Sequence, residues 1–192
     1  MQQDNSQRHH RRSIRLKGYD YSQAGAYFIT ICTQDRACLF GDVVDGEMRL
    51  NDVGGMVHDE WLRTADMRPN VELDAFVVMP NHFHGIIILH PDGRGTLQRT
   101  PTTTVEQFGK PTSNTVPTIV RLFKSASTKR INEHRGTPGV SVWQRNYYEH
   151  IIRNEESLNR IRQYIYENPA RWDMDRNNPH AIESEPEEPW LL

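Results

Sequence analysis

The chain has 192 residues, 36% of them hydrophobic and 25% charged, enough for one domain of ordinary size with extensions. No apolar run approaches the ~20 residues of a membrane-spanning helix. The polar start, residues 1–17, lacks the apolar core of a secretory signal. Cys32 and Cys38 show neither CxxC spacing nor a disulfide framework, so the expected setting is a reducing cytoplasm. The formal net charge of -2 conceals a polarised molecule. Residues 42–74 carry nine acidic and three basic side chains, and residues 115–172 carry ten basic and five acidic. A local positive face is what a phosphate backbone needs.

Residues 1–18 read as a flexible basic arm, with Arg8, Arg11, Arg12, Arg15 and Lys17 against the single acid Asp4. The run YFITICT at 27–33, aromatic and β-branched, predicts a strand. Asp45-Gly46-Glu47 joins two short extended runs into a hairpin. Asn51 or Asp52 caps a helix to about residue 65, with Val53, Met56, Val57, Trp61 and Leu62 as its buried stripe. Two apolar runs, 72–79 and 82–89, are joined by Pro80-Asn81 and predict an antiparallel pair in the middle of a sheet. Residues 91–117, rich in Thr, Gly and Pro, read as a mobile insertion. A helix over 118–134 turns Ile119, Leu122, Phe123, Ala126 and Ile131 inward and exposes Arg121, Lys124, Lys129 and Arg130. Asn154 caps a last helix to about residue 167, with Glu155 and Glu156 at the positive end of its dipole, and Asn168-Pro169 ends it. Residues 173–192 form an acidic, Pro-rich tail beyond a domain spanning 19–172; its end, 183–192, is expected to be loosely attached, although Trp190-Leu191-Leu192 could dock. These elements imply an α+β fold: a ferredoxin-like or RNA-recognition-like antiparallel sheet with helices packed on one face.

The segment Asn81-His82-Phe83-His84-Gly85 carries the most chemistry. Alternate strand residues share a face, so His82 and His84 point one way and Phe83 the other. Two neighbouring imidazoles on a rigid strand can hold one divalent cation. A metal-dependent amidohydrolase barrel needs roughly 250 residues, more than this chain has. A histidine-triad hydrolase needs a third alternating histidine where Ile86 stands.

A second motif lies in the last helix. Tyr164 and Asn168 are four residues apart and share one line of the helix, whereas Tyr166 lies about 200° around from Tyr164. If that line faces the two histidines, a cation held by two imidazoles and an amide oxygen would have a phenol beside it. Such a cation can orient a phosphodiester and neutralise charge, and attack by the tyrosine hydroxyl would conserve the bond energy in a phosphotyrosine. Glu167 lies close to the same line as an alternative ligand. Tyr147, Tyr148 and Tyr166 are alternative nucleophiles. His150 is a candidate base or phosphate contact. Tyr19, Tyr21 and Trp143 are candidate stacking platforms for unpaired bases.

From about residue 12 to 172 the chain resembles the REP-associated tyrosine transposases, bacterial relatives of the single-tyrosine HUH transposases. The resemblance rests on RSIRLKGYDY at 12–21, YFITICT, FVVMPNHFHGIII at 76–88, Phe123-Lys124-Ser125, Trp143-Gln144-Arg145, YEHIIRN at 148–154 and YIYENP at 164–169. It implies a ferredoxin-like sheet with helices, His82, His84 and Asn168 as ligands of Mg²⁺ or Mn²⁺, and Tyr164 as nucleophile. The implied reaction is cleavage of single-stranded DNA at REP hairpins, leaving a 5′-phosphotyrosine and a free 3′-hydroxyl. The enzyme would act as a monomer or a homodimer. Arg8, Arg11, Arg12, Arg15, Lys17, Arg121, Lys124, Lys129 and Arg130 are candidate DNA contacts. Two other readings use the same fold: a non-catalytic nucleic-acid-binding regulator, and a small-molecule metal phosphohydrolase.

Overall fold

The computed structural model describes residues 19–91, 115–181, 186 and 190. The basic arm with its five candidate DNA contacts, most of the 91–117 segment and much of the tail lie outside the described residues. In chain order the elements are β1 (Gly25–Cys32), a hairpin of β2 (Gly41–Val44) and β3 (Glu47–Leu50), α1 (Asp52–Asp66), β4 (Val71–Val78), β5 (His82–Leu89), α2 (Val116–Arg135), β6 (Tyr148–Ile152) and α3 (Glu155–Glu167). A 3-10 turn at Gln34–Arg36 precedes the hairpin and another at Pro169–Met174 follows α3.

Setting the hairpin aside, β1-α1-β4-β5-α2-β6 is the β-α-β-β-α-β order of a ferredoxin-like domain. The four strands lie in the order β4-β5-β1-β6, and every neighbouring pair is antiparallel. The α+β class and the antiparallel sheet are as expected. One placement differs: β5 is central but its partner β4 forms an edge. The β1–β5 register sets Cys32 opposite His82 and Thr30 opposite His84.

Local chemistry explains the helix starts. Asn51, Thr115 and Asn154 each accept a backbone N–H of the first turn through the side chain, which satisfies one of the orphan donors there. Thr115 caps α2, and Val116 and the proline that follows it lie in its first turn, so this helix begins inside the stretch expected to be an insertion.

The helices, expected on one face of the sheet, divide between two. Alternation along β1 and β5 sends Tyr27, Ile29, Ile31, Phe83, Ile87 and Leu89 into a cluster with Val57 and Trp61 of α1 and Ile119 and Phe123 of α2. Phe28 and Ile86 point to the other side, where Leu158, Ile161, Tyr164 and Ile165 of α3 cover them. Each helix buries only one stripe, and Leu62 and Leu122 fall outside theirs and are exposed. Gly85 is required by the first cluster. A Cβ there would stand 2.8 Å from the Phe83 ring and 3.0 Å from Trp61, inside normal contact distance. Lys124 departs from the expected basic exterior of α2. Its Nζ donates to the carbonyls of Gln144 (2.5 Å) and Arg145 (3.0 Å), and burial pulls its pKa down to about 8.

Candidate active site

β5 carries the two histidines to the α3 side of the sheet, both buried. Their Nε2 atoms face each other at 3.1 Å, while each Nδ1 has its own partner. His82 Nδ1 meets Asn81 Oδ1 at 2.9 Å, and His84 Nδ1 meets Thr30 Oγ1 at 2.8 Å. The Asn81 amide has no freedom to turn. Its Nδ2 donates to the carbonyls of Arg36 (3.1 Å) and Asn177 (2.7 Å), so its Oδ1 is the atom left for His82. An amide oxygen only accepts. The proton of neutral His82 therefore sits on Nδ1, and Nε2 presents a bare lone pair. Outer partners of this kind fix the tautomer of histidines that bind metals, and His82 has one ready.

Burial also keeps the rings neutral. Desolvation lowers the pKa of His82, opposed by the nearby Asp175 carboxylate and the Asn168 side chain. His84 is held well below its ordinary value, first by desolvation and then by His82.

The third group is Asp175, which sequence reasoning missed. The turn after α3 returns it beneath the histidines, with Oδ2 3.6 Å from His82 Nε2. One ligand atom from each of His82, His84 and Asp175 lies within 4.8 Å of the others, and all three residues are buried. Asp175 lies in the tail expected beyond the domain, yet Asp175, Asn177 and Asn178 are buried. No periodicity marks this carboxylate. The only sequence signal is its position a few residues past Asn168.

Asn168, the ligand expected from the sequence, is buried against the same group. Its Nδ2 donates to Asp175 Oδ2 at 3.3 Å, and its Oδ1 has no hydrogen-bond partner among the described residues. A buried amide oxygen without a donor is unfavourable, and a cation would satisfy it. The donor set fits a divalent ion on three further counts: two neutral imidazoles, one carboxylate, and a 3.1 Å nitrogen separation. That spacing is close to the ~3.0 Å between two nitrogens bound at right angles at ~2.1 Å.

Tyr164 reaches this group from α3, with its hydroxyl 3.4 Å from His84 Nε2 and its ring against Phe28 and His84. It is 7% exposed, whereas Tyr166 is 68% exposed on the other side of the helix. Arg162, also on α3, clamps Asp74 of β4 through Nε (3.0 Å) and Nη2 (2.6 Å). A bulge between Leu73 and Phe76 offers that aspartate to the helix. Trp190, from the chain's last residues, packs edge-on against Phe28 and lies 5.0 Å from the Tyr164 ring. A cavity of about 220 Å³ opens beside Tyr164 and His84, lined also by Cys32, Arg36, Tyr148 and Arg176.

Other expected residues stand apart. Glu167 is exposed and accepts from Gln163, away from the histidines. His150 of β6 approaches Trp190, 6.3 Å between rings, and is outside the ligand cluster. Tyr147 donates to Glu149 at 2.6 Å. Arg121 and Lys129 are exposed on α2, across the sheet from Tyr164, and Arg130 pairs with Asp59 and Glu60 of α1. Tyr21 and Trp143 are buried in the core, with Trp143 donating to Ser127, so neither is a free stacking platform.

Fold and site together define a ferredoxin-like α+β protein with a candidate His-His-Asp metal centre beside a buried tyrosine. No protein-family model matches the chain. It is 44% identical over 171 residues to an uncharacterized protein of Haemophilus influenzae, covering 88% of this chain and 93% of that one. It is 26% identical over 152 residues to a protein of the same organism named "Putative REP-associated tyrosine transposase", covering 79% and 74%. Its fold is similar to a solved REP-associated tyrosine transposase bound to a REP hairpin, with a TM-score of 0.52 at 23% identity, covering 80% of this chain and 71% of that one. The chain belongs to the family of the uncharacterized Haemophilus protein and is a distant homologue of the REP-associated tyrosine transposases.

Proposed function

We propose that this protein is a metal-dependent endonuclease and transposase that cuts and rejoins single-stranded DNA at REP-like hairpins through a tyrosine–phosphate intermediate. The observation that carries the reading is the Tyr164 hydroxyl 3.4 Å from His84 Nε2, at the edge of the buried His82, His84 and Asp175 group. His82, His84 and Asp175 would hold Mg²⁺ or Mn²⁺, with Asn168 Oδ1 as a further oxygen donor. When bound, the ion supplies positive charge against the non-bridging oxygens of a phosphodiester.

The remaining chemistry belongs to Tyr164. Its oxygen bonds to phosphorus, the bond from phosphorus to the 3′ oxygen breaks, the phenolic proton leaves to solvent, and the departing 3′ oxygen takes up a proton. The DNA 5′ end is then held as a phosphotyrosine, and a 3′-hydroxyl can reverse the step to rejoin a strand. A phenol with an ordinary pKa near ~10 is a weak nucleophile at neutral pH, so positive charge held by the neighbouring residues would help it. The arm residues Arg8, Arg11, Arg12, Arg15 and Lys17, with Arg121 and Lys129, are proposed backbone contacts. Lys124 and Arg130 stay in the proposed set, although partners within the protein already engage them.

The test uses labelled single-stranded hairpins from the flanks of the gene, incubated with the protein and Mg²⁺ or Mn²⁺. A labelled protein band that survives denaturation, absent with Tyr164→Phe and absent in chelator, is the expected result. Hairpin binding without any such band under either metal would reduce the protein to a binding regulator.

A further inference from the structure

Beyond the metal group and Tyr164, two arginines approach the same cavity from separate segments. Arg36 ends the 3-10 turn after β1, and Arg176 follows Asp175 in the turn after α3. Both are exposed and both line the cavity with Tyr164 and His84. They are tied to each other, because Arg36 Nη1 donates to the Arg176 carbonyl at 3.2 Å. A guanidinium has five N–H donors. No carboxylate among the described residues pairs with Arg36.

The backbone beneath Arg36 is unusual. Asp35 (φ 56°) and Arg36 (φ 55°) both lie in the left-handed region without being glycine, a conformation that persists only where the surroundings enforce it. The enforcement is visible. Asn81 Nδ2 holds the Arg36 carbonyl, and the single hydroxyl hydrogen of Thr33 is shared between the Ala37 carbonyl at 2.8 Å and the Asn81 carbonyl at 3.0 Å. The same Asn81 amide holds the Asn177 carbonyl, next to Arg176, at 2.7 Å. One side chain thus fixes the His82 tautomer and both arginine-bearing turns.

We infer that Arg36 and Arg176 form a clamp for a backbone phosphate of single-stranded DNA, the one neighbouring the phosphate that Tyr164 attacks. The inference deepens the proposed function and rests on it for the identity of the strand. Guanidinium groups suit this task because their planar donors match phosphate oxygens in pairs. The clamp positions the strand and takes no part in bond making.

The test measures binding of a labelled single-stranded hairpin to the full-length protein by fluorescence anisotropy across a salt series. Each phosphate contact to a single strand contributes ~0.7 to the slope of log K against log salt. Arg36→Gln with Arg176→Gln should make the slope shallower by about 0.7, the loss of one phosphate contact, and weaken binding about tenfold or more at low salt. Arg36→Lys should keep the slope and recover only part of the affinity. Arg63→Gln, on α1 across the sheet, should change neither. For adduct formation, the double variant should raise the DNA concentration for half-maximal rate and leave the rate at saturation nearly intact. Unchanged slope and affinity in a folded double variant, checked by thermal melting, overturn the clamp whether or not the wild-type protein forms an adduct. A shallower slope with no wild-type adduct upholds the clamp and strikes only the cleavage reading.

Discussion

The two faces of the four-stranded sheet are made from the same strands and have opposite characters. Toward α1 and α2, β1 and β5 present an aromatic and aliphatic layer in which Phe83, Trp61 and Phe123 pack within 4.6–5.4 Å of one another. Toward α3, the intervening positions present His82, His84 and Thr30, met by Tyr164, Asn168 and Asp175. The first face offers only burial, which is non-directional and strong. The second has desolvated polar groups, which are stable only when partnered. The strand thus holds the polar face rigid by anchoring its other side in apolar packing.

The sharpest way to break this comparison is to truncate one residue from each face. Phe83→Ala should lower folding stability by about 3–5 kcal/mol, the usual range for a large buried aromatic, seen in urea unfolding. His84→Gln should lower adduct formation on the order of 10²–10³-fold, the scale of losing a group that stabilises transition-state charge. Its stability without metal should stay within about 1 kcal/mol of the wild type. Equal stability losses in the two variants would show that the histidine face is ordinary core.

Asn81→Ala tests whether the polar face depends on its outer partners. The substitution frees the His82 tautomer and leaves two carbonyls without their donor. Mn²⁺ affinity, read as the rise in melting temperature with metal, should fall by about 10–100-fold. On the apolar face, Gly85→Ala places a methyl group against the Phe83 and Trp61 rings. It should destabilise by about 1–3 kcal/mol through overpacking, with metal affinity in the surviving folded fraction little changed.

Which parts of this arrangement were legible follows from range. The split of Phe83 from the histidines needs only strand alternation, and Tyr164 against Tyr166 needs only the helical angle, so both follow from neighbouring residues. The choice of Asn154 as a cap is equally local. Asp175 is different. It reaches His82 because a six-residue 3-10 turn starting at Pro169 folds the chain back, and nothing in residues 169–175 states where that turn will point. The partners of Lys124 and Arg130 escaped the sequence for a related reason: helix periodicity says which way a stem leaves the helix, while Gln144, Asp59 and Glu60 decide where the charge settles. The division of helices between two faces is also a property of the whole topology, since β1 and β5 carry apolar residues on both sides.

The smallest expected effects concern acid, and the α3 side has two titrating groups that separate by pH. His82 and His84 have folded pKa values below the ordinary 6.5, chiefly from desolvation. The unfolded chain therefore binds their protons first, and stability should begin to fall as pH drops below about 6.5. Asp74 has its pKa lowered from 3.8, first by the Arg162 hydrogen bond. Its contribution is complete above 3.8 and is lost as pH falls further, through its folded value. The pair is partly solvent-screened, so its contribution is about 1 kcal/mol. Melting temperatures of the metal-free protein should thus decline in two steps. Replacing both histidines with Gln should erase the step near 6.5 and leave the lower one, and Asp74→Asn should erase the lower and leave the upper. A single step insensitive to the histidine substitutions would mean that those rings titrate as exposed groups, which their burial between the sheet and α3 forbids.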